Sequence, residues 1–143
     1  MIESILLVDD ENLFHLVFED ACSLLDISLN VKSLNSADEA ERYFRSIVVN
    51  NEPKPECIFV DLNIIGSSFD GIELIRKINF DYGDGVVIGI ISSSNDAAEQ
   101  AKAIKAGAQF WIIKSDEIEP RLQEFKKDFE GYKTRKNKFK IYK

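Results

Sequence analysis

The sequence predicts an α/β fold in which one parallel sheet carries helices on both faces. Strand-like and helix-like segments alternate five times along 143 residues without an internal repeat, and this alternation implies parallel strands joined by right-handed crossovers. The length suits one well-filled domain. Polar residues follow four of the apolar runs. Because parallel strands end at the same sheet edge, we expect a functional site there.

The first three elements are a strand, a helix and a second strand. Residues 5–8 form an apolar run that ends in two acids, and the alternation over residues 29–34 predicts a strand with one less buried face. Residues 12–25 between them have helical spacing. We predict that the inner face of this helix carries Leu13, Leu16, Val17, Ala21, Leu24 and Leu25.

The second helix and the third strand follow. Ser36 and Glu39 have the form of a capping box, which opens a helix that extends to about residue 49. After a loop with two prolines, residues 57–61 are apolar up to a terminal aspartate. A short apolar run beside turn signals predicts a fully buried strand.

The second half repeats the pattern. A loop over residues 63–70 leads to a predicted helix over 71–79, a turn over 82–85 and a strand over 86–91.

Asp96 is a candidate cap for the next helix, and Gly107 is a typical residue after a helix end. Residues 110–113 predict a fifth strand, and Pro120 lies near the start of a last helix that buries Leu122, Phe125 and Phe129.

The charge is unevenly distributed along the chain. The net formal charge is -7, yet residues 133–143 carry six basic side chains and no acid. We therefore divide the chain into a domain over 1–132 and a basic C-terminal tail over 133–143. We expect the tail to be solvated and partly disordered; the less favoured alternative is contact with nucleic acid, an acidic partner or the domain's own acidic face. The acidic body argues against nucleic acid as a partner.

The composition indicates a cytoplasmic protein. Cys22 and Cys57 have no metal-like spacing and are expected to be buried thiols in a reducing compartment. His15 is the single histidine, which excludes a multi-histidine metal site, and we expect it to be an exposed helix residue. No signal peptide or membrane helix is predicted, and no membrane partner is expected.

The polar residues at the strand ends favour phosphoryl chemistry. Asp9 and Asp10 follow the first strand, Asp61 ends the third, and Ser92 and Lys114 follow the fourth and fifth. Clustered carboxylates repel one another and attract a cation, and oxygen-only ligands suit Mg²⁺. A lysine and a hydroxyl group can hold a phosphoryl group, so the set suits transfer to a carboxylate nucleophile or hydrolysis from it.

With this set of residues, the sequence resembles the response-regulator receiver domains of two-component signalling, of the chemotaxis single-domain type. The resemblance covers roughly residues 3–130 and implies a flavodoxin-like sheet of five strands in the order 2-1-3-4-5. Ser92 also precedes Gly107 by 15 positions and Lys114 by 22, as the family pattern requires. The matching segments are ILLVDDE at 5–11, IFVDLN at 58–63, Asp70-Gly71, Ser92, and KAGAQFWIIK at 105–114.

The resemblance implies a role for each matching residue. Asp61 is the expected phosphoacceptor. Lys114 is expected to pair with the phosphoryl oxygens. Ser92 is expected to bind the phosphoryl group and to act as a switch together with Trp111. The alternative for Trp111 is a plain core role. The expected Mg²⁺ ligands are Asp10 and Asp61 directly, Asn63 through its carbonyl, and Asp9 through water.

Three features depart from the family pattern. Ser115 follows Lys114 where the family has a proline in a cis bond, so we expect a trans bond. Asp61 and Gly71 are ten positions apart where eight is usual, which makes the loop two residues longer. The basic tail has no counterpart in a minimal receiver.

Three functions remain open on the sequence. The first is a stand-alone receiver, which takes its phosphoryl group from a histidine kinase or phosphotransfer protein and signals to an unknown protein partner, as a monomer or a phosphorylation-dependent dimer. It would catalyse only its own phosphorylation and dephosphorylation. The second is an aspartate-nucleophile phosphatase, although Asn63 occupies the place of its usual second aspartate. The third is an interaction module without phosphorylation control.

Overall fold

One parallel sheet organises the computed structural model, which describes residues 2–25, 30–64, 66–82 and 85–143. Within this part of the chain the sheet has six strands in the order β2-β1-β3-β4-β5-β6. The strands are β1 (Ser4–Val8), β2 (Asn30–Leu34), β3 (Cys57–Asp61), β4 (Val87–Ser92), β5 (Phe110–Ile113) and β6 (Lys140–Tyr142). The predicted order of the first five is confirmed.

Helices cover both faces of the sheet. They are α1 (Asn12–Leu25), α2 (Ala37–Asn50), α3 (Gly71–Tyr82), α4 (Ala97–Ala106) and α5 (Glu119–Lys133). One hydrophobic cluster joins α1 and α5 to the sheet, and a second joins α2, α3 and α4 to its other face. Phe59 on β3 lies at the centre of the first cluster, with its ring 5.1 Å from Phe18 and 5.3 Å from both Phe110 and Phe125.

The predicted helix ends hold at three places. The Ser36 side chain accepts a hydrogen bond from the Glu39 amide, and the Asp96 side chain accepts one from Ala98. Gly107 has a φ of 110°, which a residue with a side chain rarely adopts. Helix α3 is longer than predicted and continues to Tyr82. Residue 29 of the predicted second strand and residues 83–84 of the predicted turn lie outside the described residues.

The predicted inner face of α1 is wrong in part. Leu13, Leu16 and Leu24 are exposed at 74%, 65% and 67%. The helix buries the predicted Ala21, and with it Phe14, His15, Phe18 and Cys22. Apolar residues occupy two faces of α1, so spacing alone could not show which face meets the sheet. The exposed leucines form a surface stripe.

The prediction of a solvated, partly disordered tail is also wrong. Strand β6 pairs in parallel with β5, with Trp111 opposite Ile141. Tyr142 is buried and packs edge-on against Phe125, while its hydroxyl group donates a 2.7 Å hydrogen bond to Asp128. Phe139 and Ile141 pack against the cluster on the other face. Alternating side chains therefore fasten the tail to both sides of the sheet.

The candidate phosphorylation site

The polar residues at the strand ends come together as the topology predicts. Asp61 ends β3 and pairs with Ile91 of β4, and Ser92 ends β4. The Lys114 amide donates a 2.8 Å hydrogen bond to the Ser92 carbonyl, which sets the lysine beside β4. Asp9 follows β1 directly and is fully buried.

Lys114 is the cation at the centre of these acids. Its ammonium nitrogen lies 2.7 Å from Asp9 Oδ2, 2.8 Å from Glu11 Oε1 and 3.8 Å from Asp61 Oδ2, and 4.4 Å from the Phe14 ring centroid. Burial lowers the pKa of this lysine, but its hydrogen bonds to the two acids and the nearby carboxylate charge outweigh that effect and raise the pKa. The lysine therefore stays charged.

Asp61 is in an environment that disfavours its ionised form. Its side chain is 10% exposed. Burial and the charge of Asp9 raise its pKa from 3.8 to about 7, with Lys114 opposing and Asp10 and Glu11 adding to the rise. A carboxylate in this position gains from any further positive charge nearby.

The cluster fits a divalent cation. Carboxylate oxygens of Asp9, Glu11 and Asp61 all lie within 4.8 Å of one another. An all-oxygen donor set suits Mg²⁺, and an excess of carboxylates over cations favours a metal. Asp10 is half-buried and close enough for its charge to raise the pKa of Asp61.

Two residues of the site differ from the sequence-based expectation. Glu11, which the prediction leaves out, binds Lys114; the third acid of the ILLVDDE segment was the signal for it. His15 is buried, so the prediction that it is exposed is wrong. Its ring nitrogen Nε2 forms a hydrogen bond with the Asp9 carbonyl oxygen, which satisfies the polar side chain in the core.

Ser92 and Trp111 are linked through Ser94. The Ser94 amide donates to Ser92 Oγ at 3.1 Å, and the Trp111 indole N–H donates to the Ser94 carbonyl at 2.9 Å. The Ser94 hydroxyl group donates to Glu99 in the first turn of α4. Trp111 is fully buried. The two predicted switch residues therefore share one hydrogen-bonded neighbour.

The long loop after β3 is tied back to the fold. The Ala37 amide donates to Ser67 Oγ at 2.8 Å, and the Ser68 amide donates to Asp38 at 2.9 Å, so the loop is fastened to the start of α2. Gly71 closes the loop against β3, where a Cβ atom would collide with the Asp61 carbonyl.

Asn63, the predicted carbonyl ligand, is exposed and borders a cavity of about 310 Å³ together with Ser67 and Phe69. Residue 65 of this loop lies outside the described residues.

The loop after β5 has the expected trans peptide bond. No cis peptide bond occurs in the described ranges, which include Lys114 and Ser115. The Ser115 hydroxyl group accepts a hydrogen bond from the Glu117 amide at 2.9 Å. Beside this loop, a cavity of about 300 Å³ is lined by Leu13, Lys114 and Ser115 among others.

The sequence matches the family described as the response regulator receiver domain over residues 5–123. This chain therefore belongs to that family of two-component signalling modules. A comparison with curated protein sequences found no match. Within residues 2–25, 30–64, 66–82 and 85–143, none of the helices combines the length and apolar composition that crossing a bilayer requires.

Solved structures share the fold. The phosphorylated cyanobacterial phytochrome response regulator RcpA is 21% identical with a TM-score of 0.73, over 94% of this chain and 95% of that one. A two-component response regulator from Cytophaga hutchinsonii is 21% identical with a TM-score of 0.78, over 91% and 98%. NtrX from Brucella abortus is 24% identical with a TM-score of 0.76 over 94% of this chain, which spans 28% of NtrX.

Proposed function

We propose that the chain is a receiver that accepts a phosphoryl group on Asp61 from a phosphohistidine of a histidine kinase or phosphotransfer protein. The observation that carries the proposal is the setting of Asp61. It is a buried carboxylate with a raised pKa, at the edge where Lys114 and the Ser92 hydroxyl group also lie. These groups are the nucleophile and the phosphoryl-binding groups that the transfer needs.

In the proposed reaction an ionised Asp61 oxygen attacks phosphorus, the P–N bond breaks and the donor histidine leaves. The Lys114 ammonium group, 3.8 Å from Asp61 Oδ2, moves onto the phosphoryl oxygens. The Ser92 hydroxyl group then donates a hydrogen bond to the same group. Asp9, Asp10, Asp61, Glu11 and the Asn63 carbonyl are the groups available to hold Mg²⁺. The ion would offset the negative charge of carboxylates and phosphoryl group and so favour the reactive form of Asp61.

The stripe of exposed leucines on α1 supports docking of the donor protein there. Leu13 and Leu16 lie in the first turns of α1, and Leu13 borders the cavity beside Lys114. An exposed apolar patch next to a reactive group is typical of a protein-docking surface. A donor that packs a helix against α1 would present its phosphohistidine to Asp61.

The proposed output is a change in the face formed by α4, β5 and α5. Ser92 and Trp111 both contact Ser94, which bonds α4. Movement of the Ser92 hydroxyl group onto a phosphoryl group would break its bond to the Ser94 amide. Because Trp111 pairs with Ile141, the downstream partner would recognise a face that includes β6.

The test is phosphorylation with acetyl phosphate, followed by intact-mass measurement. We expect the wild-type chain to gain one phosphoryl group when Mg²⁺ is present and none in excess chelator. Asp61→Asn should gain none. Labelling of Asp61→Asn to the wild-type level would refute the proposal. Steady turnover of an aryl phosphate would instead favour a phosphatase.

The docking step has its own control. Leu16→Glu should slow transfer from a phosphohistidine protein that labels the wild type, yet leave labelling by acetyl phosphate unchanged. Phe80→Glu is the matched variant, because Phe80 is 90% exposed on another helix, α3. Equal rates for both variants with the protein donor would argue against docking on α1.

A further inference from the structure

His15 is a polar side chain inside the core face of α1. It is 8% exposed, and its buried neighbours on the helix are apolar or a thiol. Its Nε2 atom lies 2.6 Å from the main-chain oxygen of Asp9. A carbonyl oxygen only accepts hydrogen bonds, so Nε2 carries the proton and donates. A buried polar group at a fixed position needs such a partner.

The bond from His15 completes a set of contacts that holds every polar part of Asp9. The Asp9 amide donates to the Leu34 carbonyl of β2 at 3.0 Å. One carboxylate oxygen accepts from the Glu11 amide at 2.8 Å, and the other lies 2.7 Å from Lys114 Nζ. His15 holds the remaining group, the carbonyl. The end of β1 is thus fixed from four directions.

The Asp9 carbonyl also belongs to the peptide that leads into Asp10. The carbonyl of Asp9 and the amide of Asp10 belong to one planar peptide unit. Fixing the carbonyl direction therefore fixes the direction in which the chain leaves toward Asp10. Rotation of this unit would displace Asp10, whose charge acts on Asp61.

We propose that His15 is a positioning residue for the cation site: its Nε2–H group holds the Asp9–Asp10 peptide and so keeps the acids that follow β1 in place beside Asp61. The inference deepens the proposed function and rests on it for the role of the cation. Groups that orient metal ligands without touching the metal affect its affinity strongly. His15 has this relation to Asp10 through the main chain.

Substitutions at position 15 separate the hydrogen bond from the volume of the ring. Glutamine carries an N–H donor at nearly the distance of Nε2 from the backbone. Asparagine carries one that is too short to reach the Asp9 carbonyl, and leucine fills space without a donor. Phe18→Leu is the matched control, since Phe18 is buried on the same helix and packs against Phe59.

The measurement is the Kd for Mn²⁺, obtained from the electron paramagnetic resonance signal of the free ion, with Mg²⁺ as competitor. We expect His15→Leu and His15→Asn to weaken binding roughly tenfold or more, and His15→Gln to stay within about threefold of wild type. Phe18→Leu should lower the urea midpoint of unfolding and leave the Kd unchanged. A merely structural role would move the midpoint and the Kd together in all four variants.

The proposal is overturned if His15→Leu and His15→Asn fold and bind Mn²⁺ as tightly as wild type. If His15→Leu does not fold, the test is the comparison of His15→Gln with His15→Asn. Equal Mn²⁺ affinities of these two variants would overturn the proposal. A wild-type chain that binds no divalent cation overturns this inference and the proposed function together. A wild-type chain that is labelled at Asp61, with unchanged affinities at position 15, overturns only the role of His15.

Discussion

Two acid–lysine clusters in this protein use similar side chains in opposite ways. The strand-end cluster consists of Asp9, Glu11, Asp61 and Lys114; the tail cluster consists of Glu124, Asp128, Tyr132, Lys140 and Tyr142. In the strand-end cluster one lysine serves three carboxylates, and the pKa of Asp61 is raised to about 7. In the tail cluster, burial of Asp128 is outweighed by hydrogen bonds from Tyr142 and Lys140, which lower its pKa.

The difference lies in the ratio of donors to carboxylates. Tyr142 donates to Asp128 at 2.7 Å, and the hydroxyl groups of Tyr132 and Tyr142 lie 2.7 Å apart. Lys140 lies 3.0 Å from Asp128 and 2.8 Å from Glu124. The tail cluster satisfies its acids and stabilises the fold. The strand-end cluster leaves Asp61 short of positive charge, which suits a site that binds a cation and a phosphoryl group.

The largest expected effect is in the tail cluster. Tyr142→Ala removes a buried ring that packs on Phe125. It should lower the free energy of unfolding by roughly 3–5 kcal/mol in urea titrations. Mn²⁺ affinity of the folded variant should not change. A loss of less than 1 kcal/mol would mean that β6 contributes little, and a loss of metal affinity would mean that the two clusters are coupled.

The next largest expected effect is a difference in stability between substitutions of the two lysines. Lys114→Met leaves buried carboxylates without their cation, and should cost about 3 kcal/mol in the free energy of unfolding. Lys140→Met removes an ammonium group whose side chain is 43% exposed, and should cost less than about 1 kcal/mol. Both free energies of unfolding would be measured by urea titration in the presence of chelator. Similar losses would contradict the contrast between the clusters.

The same substitution should have opposite signs in the two clusters. At pH 8 in chelator, Asp61→Asn should raise the free energy of unfolding by roughly 2–4 kcal/mol, whereas Asp128→Asn should lower it by about 1 kcal/mol. The stability gained by Asp61→Asn depends on pH, because the pKa of Asp61 is about 7 in the folded protein and 3.8 ordinarily. The wild type loses stability as the pH rises from about 4 to 7, and the asparagine variant does not share this loss. A destabilised Asp61→Asn at pH 8 would show that the raised pKa is misassigned.

The effect of the cation itself is also expected to be small. Mg²⁺ at about ten times its Kd should raise the free energy of unfolding of the wild type by about 1.4 kcal/mol. Chelator should reverse the gain. Asp128→Asn should respond like the wild type and Asp61→Asn should respond much less. An equal response from both variants would place the cation elsewhere.

The features of the molecule that the sequence predicts are those fixed by strand topology. Asp61 and Lys114 end up close together because parallel strands end at one edge, whatever the loops do. The caps at Ser36 and Asp96 depend on neighbouring residues and were equally predictable.

The parts that did not follow depend on contacts between distant elements. Which face of α1 is buried depends on the sheet that it meets. Helical spacing alone predicts Leu16 inside and His15 outside, and the structure has the reverse. Strand β6 is three residues long inside a basic segment, and its alternation of Lys140, Ile141 and Tyr142 gave a weak signal. Its place depends on Asp128, a partner in another element.

The most direct test of the central claim locates the phosphoryl group. The wild-type chain is incubated with acetyl phosphate and Mg²⁺, treated with borohydride, which converts an aspartyl phosphate to homoserine, and digested for peptide mass spectrometry. We predict homoserine at position 61, and none when chelator replaces Mg²⁺. Modification at Asp9 or Asp10 with Asp61 intact, or labelling that persists in chelator, would contradict the account.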